Sequence, residues 1–339
     1  MQVRNRSPGR SLRVWVPMSR PGTGAVGEGD EEDGTRGSPS LAVAPGPPAS
    51  LELVGVRVSY PAAGGQGQWV HAVGGVDVCV RPGEVVGVLG PNGAGKSSCF
   101  KVAVGSMRAS SGEVYLDGQA VGRLPLWERA RRGMCYIPQE ASIFRSLTVE
   151  ENVLVPLEAA GYGVQEAREA LLDRFPGRGP WQTMRRILAQ PGEVYRIQCA
   201  RVAKVVEAHG LQDVASTKGA SLSGGERRRA ELARALAVEG HARYVLMDEP
   251  FAGVDPLALA DLRTALLALA ASSHGPGVLI TDHNVRETLS MCDRAYIFSG
   301  GTVVAHGTPK QLLKNELVRT VYLGADMAED MLRSMGEGG

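Results

Sequence analysis

Residues 90–97, which read Gly-Pro-Asn-Gly-Ala-Gly-Lys-Ser, constrain the fold of this 339-residue chain more than any other stretch. They fit the phosphate-binding pattern G-x-x-x-x-G-K-[ST]. The apolar run before them, at 84–89, is typical of a buried strand, and the residues after them can begin a helix. Such a loop lets backbone N–H groups and a helix N-terminus surround a phosphate. The sequence therefore predicts a nucleoside triphosphate site.

Two side chains of this loop suit a triphosphate that carries Mg²⁺. Lys96 adds a positive charge for the β- and γ-phosphates, and Ser97 offers its hydroxyl to the cation. The candidates for contact with the nucleotide in this region are Gly90, Asn92, Gly93, Gly95, Lys96, Ser97 and Ser98.

Composition argues against several other classes of protein. The net charge is +1, so there is no basic field of the kind that nucleic-acid binding requires. Five scattered cysteines without C-x-x-C spacing argue against a disulfide framework or a zinc site. The longest apolar run, 257–271, is interrupted by Asp261 and Arg263 and is shorter than the ~20 residues of a membrane span. The chain is predicted neither to bind nucleic acid nor to cross a membrane by itself.

The chain is predicted to have three parts. Residues 1–50 are rich in Gly, Pro, Ser and Arg and show no periodicity, which indicates a disordered extension. The first twenty residues hold five arginines and no acidic residue, which is typical of an organelle transit peptide. A wrongly assigned start codon or a bacterial extension is the alternative. Residues 51–310 contain all the motifs and form the predicted nucleotide-binding domain, and 311–339 form a C-terminal tail.

The pattern within 51–310 predicts an α/β fold. Residues 51–60 and 70–80 flank a glycine-rich turn, which favours an antiparallel β subdomain. Short apolar segments then alternate with helical ones, the pattern of a parallel sheet with crossover helices. These segments are residues 84–89, 134–138, 244–247 and 277–280.

A helical subdomain is predicted over about 147–220. A helix is expected over 148–173, because apolar residues recur there with helical spacing. A segment broken by Gly and Pro is expected to follow over 175–192, and a second helix from about Glu193 to His209.

Asp248 and Glu249 follow the apolar strand 244–247 directly. The carboxyl ends of parallel strands are where such sheets bind their ligands. Asp248 can hold Mg²⁺, directly or through water, and Glu249 can orient the water that attacks the γ-phosphate. The pair is therefore predicted to contribute the metal ligand and the catalytic carboxylate.

A second anion-binding helix start is predicted at Ser223-Gly224-Gly225. A serine and exposed backbone N–H groups precede a run with helical spacing, 226–237. One triphosphate needs only one such helix start. Two copies of the chain arranged head to tail would use both, because each copy would lend its second site to the nucleotide of the other.

Together these motifs resemble the nucleotide-binding subunits of ABC transporters. The resemblance covers 51 to about 310 and implies a P-loop NTPase core that binds and hydrolyses ATP with Mg²⁺. It implies that Tyr60 stacks on adenine and that Gln139 contacts Mg²⁺ and the attacking water. It further implies that His283 holds the γ-phosphate and that Asp255 lies in a loop that communicates across the dimer.

A closer resemblance is to the ATPases of lipopolysaccharide export. It rests on PQEASIFR (138–145), SLSGGERRR (221–229), EPFAGVDP (249–256), TDHNVRETL (281–289) and VYLG (321–324). It implies a homodimer that powers lipid extraction through two membrane-spanning permease subunits, contacted near Gln139 to Arg145. The sequence departs from that family in its N-terminal extension, in a longer segment over about 174–206 and in its tail.

Two other functions stay open from the sequence. An importer ATPase of the branched-chain amino-acid type resembles this chain as well. A soluble ABC ATPase of translation, DNA maintenance or iron–sulfur assembly is the third reading, although the second cassette or long coiled coil typical of the first two is missing. As a transporter subunit, the chain would lie peripherally on the cytoplasmic or stromal face of a membrane. A chloroplast is the first expectation and a bacterial inner membrane the alternative.

Overall fold

The computed structural model describes most of the chain from residue 49 onward. The described residues are 49–61, 69–177, 179–238, 240–252, 256–272, 275–323 and 329–333. They all belong to one compact unit, 41–339. The transit-peptide interpretation concerns residues 1–50, of which 1–48 lie outside the described part.

Ten strands and ten α-helices are the principal elements of the described residues. The strands are β1 (Leu51–Pro61), β2 (Trp69–Val80), β3 (Val85–Leu89), β4 (Ser111–Leu116), β5 (Gln119–Ala120), β6 (Met134–Ile137), β7 (Tyr244–Asp248), β8 (Gly277–Asp282), β9 (Arg294–Ser299) and β10 (Thr302–Gly307). The helices are α1 (Lys96–Val104), α2 (Leu126–Arg131), α3 (Val149–Ala159), α4 (Val164–Arg174), α5 (Pro180–Ala208), α6 (Gly224–Ala235), α7 (Pro256–Ala270), α8 (Val285–Leu289), α9 (Pro309–Lys314) and α10 (Glu316–Val318).

The strands form two sheets. The smaller one has the order β2-β1-β4-β5 and is antiparallel throughout. The larger one has the order β10-β9-β3-β8-β7-β6, and its strands run parallel except for β10 at the edge. The parallel sheet and the antiparallel subdomain predicted from the sequence are both confirmed.

The three central strands of the larger sheet bring the predicted chemical groups together. All residues of β3, β7 and β8 are buried, which explains why they read as unbroken apolar runs. Leu89 at the end of β3 pairs with Asp282 on β8, and Thr281 on β8 pairs with Asp248 on β7. The phosphate-binding loop and the carboxylates therefore emerge at one edge of the sheet.

The helical subdomain differs from the sequence expectation in two places. The helix expected over 148–173 is two helices, because Gly161 and Gly163 adopt positive φ angles of 64° and 81° between them. Of the segment expected to be broken, 175–192, residues 180–192 belong to the 29-residue helix α5, which begins at Pro180 and continues through Pro191.

Pro180 and Pro191 show why the second expectation was wrong. A proline is well tolerated in the first turn of a helix, where its missing N–H has no partner to lose. Pro191 removes one hydrogen bond within the helix, but it is exposed, as is Ile187 one turn earlier, so water can reach the carbonyl left free.

The segment after β10 packs on the larger sheet. Leu312, Leu313 and Val318 are buried in a cluster with residues of β3 and β9. Among the described residues, no helix is both long enough and apolar enough to cross a bilayer.

Candidate functional site

The loop after β3 is held in a shape that only glycine permits at two points. Gly95 has a φ of 97°, and a Cβ there would overlap the carbonyl oxygen of Ala72 on β2. Gly90 has a φ of 153°, and a Cβ there would overlap the carbonyl oxygen of Phe298 on β9. The backbone of β2 and of β9 therefore packs directly against the loop at the start of α1.

Lys96 lies inside this loop and is only 5% exposed. Its Nζ donates hydrogen bonds to the carbonyl oxygens of Gly90, at 2.6 Å, and Pro91, at 3.1 Å. Burial lowers the pKa of the ammonium group, and the carboxylates of Glu249 and Asp248 oppose that shift. The ammonium group is held at the base of the loop, near the carboxylates of Asp248 and Glu249 at the end of β7.

Ser97, Asp248 and Thr281 form a chain of oxygen atoms beside the loop. Thr281 Oγ1 donates to Asp248 Oδ1 at 2.5 Å, and Ser97 Oγ lies 3.4 Å from the same oxygen. Asp248 is buried. Hydroxyl and carboxylate oxygens are the ligands that Mg²⁺ prefers, usually completed by phosphates and water. Within the described ranges, no group of three or more His, Cys, Asp or Glu could hold a metal alone. These residues fit a cation that arrives with a nucleotide.

Glu249 has a strained backbone that turns its side chain into the site. Its φ is 46°, a left-handed conformation rare for residues other than glycine. Its backbone N–H is fixed by Thr281, at 3.0 Å from the carbonyl oxygen and 3.1 Å from Oγ1. Strain of this kind is common at functional sites.

Two further side chains meet the Glu249 carboxylate. Gln139 Nε2 donates to Glu249 Oε2 at 2.9 Å. His283 Nδ1 lies 3.6 Å from the same oxygen and 3.5 Å from Asp282 Oδ1. The three residues proposed as catalytic from the sequence therefore converge on one oxygen atom, and together they can orient a water molecule.

Asp282 is a buried carboxylic acid next to His283. Its Oδ1 accepts a hydrogen bond from the N–H of Asn284 at 2.8 Å, while Oδ2 has no partner. Burial raises the pKa of this carboxyl group, against the hydrogen bond and His283, which lower it. The group adds a titratable oxygen to the site that the sequence did not single out.

The second predicted anion site is the N-terminus of α6. Ser223 Oγ accepts from the N–H of Glu226, and the Glu226 carboxylate accepts from the N–H of Ser223, a capping box. Ser223 and Gly224 are exposed, whereas Gly225 is buried. Helix α6 packs on α3, α5, α7 and β6, whereas α1 packs on β1, β2 and β7. The two anion-binding helix starts thus belong to different parts of the chain.

The remaining candidate residues are placed as follows. Tyr60 lies near the end of β1, paired with Val70, and its ring is 42% exposed. Asn92 and Gly93 are exposed on the loop, and Ser98 is half-buried in the first turn of α1. Asp255 lies outside the described residues.

A buried ion pair on α6 links segments that the sequence did not connect. Arg228 Nη1 donates to Glu231 Oε2 at 2.6 Å and to the carbonyl oxygen of Pro138 at 3.0 Å. Its Nε donates to the carbonyl oxygen of Pro250. Glu231 Oε1 accepts from the N–H of Ser142. The sequence signal was an Arg and a Glu spaced i, i+3 on the buried face of a helix.

Thr281 was also missed as a site residue. It immediately precedes Asp282 and His283, at the end of β8. Only the pairing of β8 with β7 reveals that its hydroxyl reaches Asp248.

A groove of about 990 Å³ lies beside residues 139–145. Phe144, Pro156, Ala159 and Arg234 are among its lining residues, and the Arg234 guanidinium lies 5.0 Å above the Phe144 ring. The groove is mostly apolar with a basic side, and it is connected to Gln139 through the short segment between them.

Known proteins resemble the chain over most of this region. The family profile described as ABC transporter matches residues 73–252. The lipopolysaccharide export system ATP-binding protein LptB of Escherichia coli K12 is 43% identical over 251 residues, 74% of this chain and 90% of that protein. LptB of Haemophilus influenzae is 41% identical over 249 residues, 74% of this chain and 89% of that protein.

Solved structures agree with the fold. The ADP conformation of MJ1267, an ATP-binding cassette of an ABC transporter, superposes with a TM-score of 0.60 and 26% identity. The match covers 81% of this chain and 98% of that one. A dimeric bacterial ABC transporter cassette, MJ0796, matches with a TM-score of 0.59 at 22% identity, which shows the fold alone.

Proposed function

The chain belongs to the ABC transporter family and is an ATPase of that family, and from this premise we propose that it powers the export of lipopolysaccharide or a related glycolipid. The observation that supports this transported substrate is the 43% identity to LptB, which extends over 90% of that protein. The relatives named LptB are lipopolysaccharide export ATP-binding proteins.

In this proposal the loop after β3 binds the triphosphate of ATP. Lys96 exchanges its contacts with the loop carbonyls for the β- and γ-phosphates. Ser97, Asp248 and Gln139 hold Mg²⁺, which supplies positive charge opposite the phosphate oxygens when it is bound. Tyr60 stacks on the adenine ring, since it is exposed near the end of β1.

Hydrolysis is assigned to the residues around Glu249. Its carboxylate orients the attacking water and accepts a proton from it, with Gln139 hydrogen-bonded to Oε2. His283 Nδ1 lies 3.6 Å from the same oxygen, and we assign its side chain to the γ-phosphate. The left-handed backbone of Glu249 fixes the carboxylate before the substrate arrives, which reduces the reorganisation needed during the reaction.

The active form is proposed to be a head-to-tail homodimer. The exposed Ser223 and Gly224 belong to a different part of the chain from α1, so a second copy can present them to the γ-phosphate. Asp255 is assigned to the same dimer contact on the resemblance alone.

Two permease subunits are the proposed membrane partners. The groove beside 139–145 offers an apolar floor and the Phe144–Arg234 pair to a short helix of each permease. We propose accordingly that the chain lies peripherally on the cytoplasmic face of a membrane. The curated relatives named here are bacterial, which favours the bacterial inner membrane over a chloroplast. No nucleic-acid partner is proposed.

The catalytic assignment is tested with Glu249→Gln. This variant is expected to bind ATP and accumulate as a dimer while hydrolysis falls by at least about a hundredfold, because the base is lost. The measurements are steady-state phosphate release and size-exclusion chromatography with light scattering in ATP. Glu207→Gln, an exposed position on α5, is the matched control. Near-normal turnover of Glu249→Gln would remove that residue from the mechanism.

The transport assignment is tested by purifying the tagged chain gently from solubilised membranes and identifying its companions. Two multi-spanning proteins that resemble lipid-export permeases are the expected result. Recovery of permeases that resemble those of an amino-acid importer would change the proposed transported substrate and leave the ATPase assignment unaltered. Recovery without any membrane protein would overturn the transporter proposal.

A further inference from the structure

The N-terminal half of α5 displays an apolar stripe to solvent. Trp181, Met184, Leu188 and Tyr195 are 80%, 52%, 74% and 57% exposed. Their spacing of three, four and seven residues places them on one face of the helix. At 1.5 Å per residue the stripe is about 21 Å long. Amphipathic helices of globular domains normally pack such a face against the core, whereas this apolar face is exposed to solvent.

The opposite side of the same helix half is hydrogen-bonded to the connection between α4 and α5. Arg186 lies there and donates hydrogen bonds to the carbonyl oxygens of Phe175, at 3.0 Å, and Gly177, at 2.7 Å. Further along, α5 buries Gln198 and Val202. The orientation of α5 is therefore fixed by its polar and C-terminal contacts, and the apolar stripe is left outside.

The charge beside the N-terminal part of the stripe, from Trp181 to Leu188, is positive, whereas Glu158 lies beside Tyr195 at the other end. Residues 174–192 contain four arginines and no acidic residue. Arg185 is exposed directly beside the stripe, and Arg174 is exposed at the end of α4. Glu193, the next acidic residue, is already paired with Arg196 at 2.6 Å.

The acidic residues of α4 do not offset this charge. Glu166, Glu169 and Asp173 occupy the helix face opposite its buried residues Ala167 and Leu171. They therefore point away from the packed side of the α4–α5 hairpin. The tip of the hairpin combines exposed aromatic and aliphatic side chains with an excess of arginines over acidic residues.

We propose that this stripe of α5 binds the surface of a membrane that contains anionic lipids. Trp and Tyr are suited to the interface between headgroups and acyl chains, and Leu188 and Met184 add apolar surface. Arginines beside a helix lying in the interface bind the headgroup phosphates. The occupant of the face is thus the lipid surface itself.

Charge disfavours a second copy of the chain as the occupant. A two-fold contact through this stripe would bring each set of arginines against the same set of its partner. Like charges placed together in this way oppose association, whereas an anionic bilayer meets every one of them with the opposite charge.

The position of the stripe agrees with a membrane-facing side of the subunit. A cleft of about 440 Å³ lies between Glu158 on α3 and residues Ile187, Pro191 and Tyr195 on α5. The same last turn of α3 contributes Pro156 and Ala159 to the groove proposed for the permeases. This placement rests on the proposed function, but binding to lipid can be measured without it.

The test is flotation of the purified full chain, without nucleotide, with vesicles of phosphatidylcholine alone or mixed with phosphatidylglycerol. Binding is expected only with phosphatidylglycerol and is expected to weaken at high salt. Trp181→Ala should weaken it at least about tenfold, through the lost apolar contact. Arg185→Gln should weaken it about fivefold, the contribution of one basic residue near an anionic surface.

Matched controls separate the stripe from general surface effects. Trp69→Ala removes another exposed tryptophan, and Arg123→Gln removes another exposed arginine, both outside the helical subdomain. Both should float like the unaltered chain. Equal losses in the controls, or binding to neutral vesicles alone, would overturn the proposal.

Tryptophan fluorescence gives a second readout that does not depend on binding strength. The chain has four tryptophans, and replacing Trp15, Trp69 and Trp127 with Phe leaves Trp181 as the only one. Its emission should shift to shorter wavelength on phosphatidylglycerol vesicles and be quenched by brominated acyl chains.

Two outcomes contradict lipid binding. Unchanged Trp181 emission in the presence of bound vesicles would place the contact elsewhere on the chain. Failure to float, together with a dimer that Trp181→Ala converts to a monomer, would make a second copy the occupant. Neither result alters the ATPase assignment, which Glu249→Gln tests separately.

Discussion

Gly95 is a position in the phosphate-binding loop where only the hydrogen side chain of glycine fits. Gly95→Ala is expected to lower the free energy of unfolding by roughly 2–5 kcal/mol, since a Cβ would both strain the backbone and overlap the Ala72 carbonyl. ATP should no longer raise the melting temperature. Thermal unfolding with and without ATP measures both effects.

Gly118→Ala is the control for backbone strain alone. Gly118, in the turn between β4 and β5, also has a positive φ, 74°, but a Cβ there would meet only open space. A loss of roughly 1–2 kcal/mol is expected, and the response to ATP should persist. Equal damage from the two variants would show that the contact with β2 is unimportant.

Asp282 is expected to make stability depend on pH. Its pKa is raised by burial, so the folded chain keeps a proton in the pH window just above the ordinary pKa of an aspartate, where the unfolded chain has lost it. The free energy of unfolding therefore falls as pH rises through that window. Asp282→Asn should flatten this dependence and be the more stable protein at neutral pH.

Chemical denaturation of the nucleotide-free protein at a series of pH values measures the effect. Glu207→Gln, which changes an exposed carboxylate on α5, should leave the profile unchanged. A profile that is identical in Asp282→Asn and the unaltered chain would mean that Asp282 ionises as freely as it does in water.

At the scale of elements, Arg129 on α2 anchors the end of α1. Its guanidinium is buried and donates to the carbonyl oxygens of Val102 and Ala103 in α1, and also to those of Leu124 and Gly122. Burial lowers its pKa to about 10, so it stays charged at neutral pH, at the favourable end of the helix dipole.

Arg129→Leu is expected to cost roughly 2–4 kcal/mol, because four carbonyl groups, two of them in buried residues, lose their donor. Arg131→Leu is the control on the same helix, where the exposed guanidinium lies over Trp127. Urea unfolding measures both variants. A cost for Arg129→Leu as small as that of the control would show that water replaces the lost donors.

Much of the sheet could be predicted from the sequence. Strands β3, β7 and β8 are buried on both faces, so each is a short apolar run that can be recognised as a strand from its own sequence. The convergence of Lys96 with Asp248 followed from the rule that ligands bind at the carboxyl ends of parallel strands.

Other features could not be predicted, because they depend on contacts distant in sequence. Pro180 and Pro191 read as helix breakers, yet the environment of α5 tolerates both. Arg228, which is paired with Glu231, also donates hydrogen bonds to the carbonyl oxygens of Pro138 and Pro250, and both prolines are distant from it in the sequence. A local pattern contains no information on such partners.

For the whole molecule, the proposed head-to-tail dimer predicts rescue between two inactive variants. Lys96→Ala disables the loop of its own copy, and Ser223→Arg disables the helix start lent to the partner. A mixed dimer then contains one intact composite site and one doubly defective site. Mixing the variants should restore about a quarter of the normal ATP hydrolysis, if each site works independently.

Lys96→Ala mixed with Ser97→Ala is the control, because both changes fall in the loop and no intact site can form. Phosphate release from this mixture should stay at background. Equal activity in both mixtures, or no activity in either with folded proteins, would contradict the shared site.

The ion pair of Arg228 and Glu231 joins three segments into one rigid block. It connects the helix that begins at Ser223, the turn after Asp248 and the segment leading from Gln139 to the groove. Breaking such a buried pair on one side costs about 3–5 kcal/mol, so the segments move together more readily than apart. The surfaces proposed for the nucleotide, the second copy and the membrane partner are therefore linked through one ion pair, and we expect a displacement at any of these surfaces to be passed to the other two.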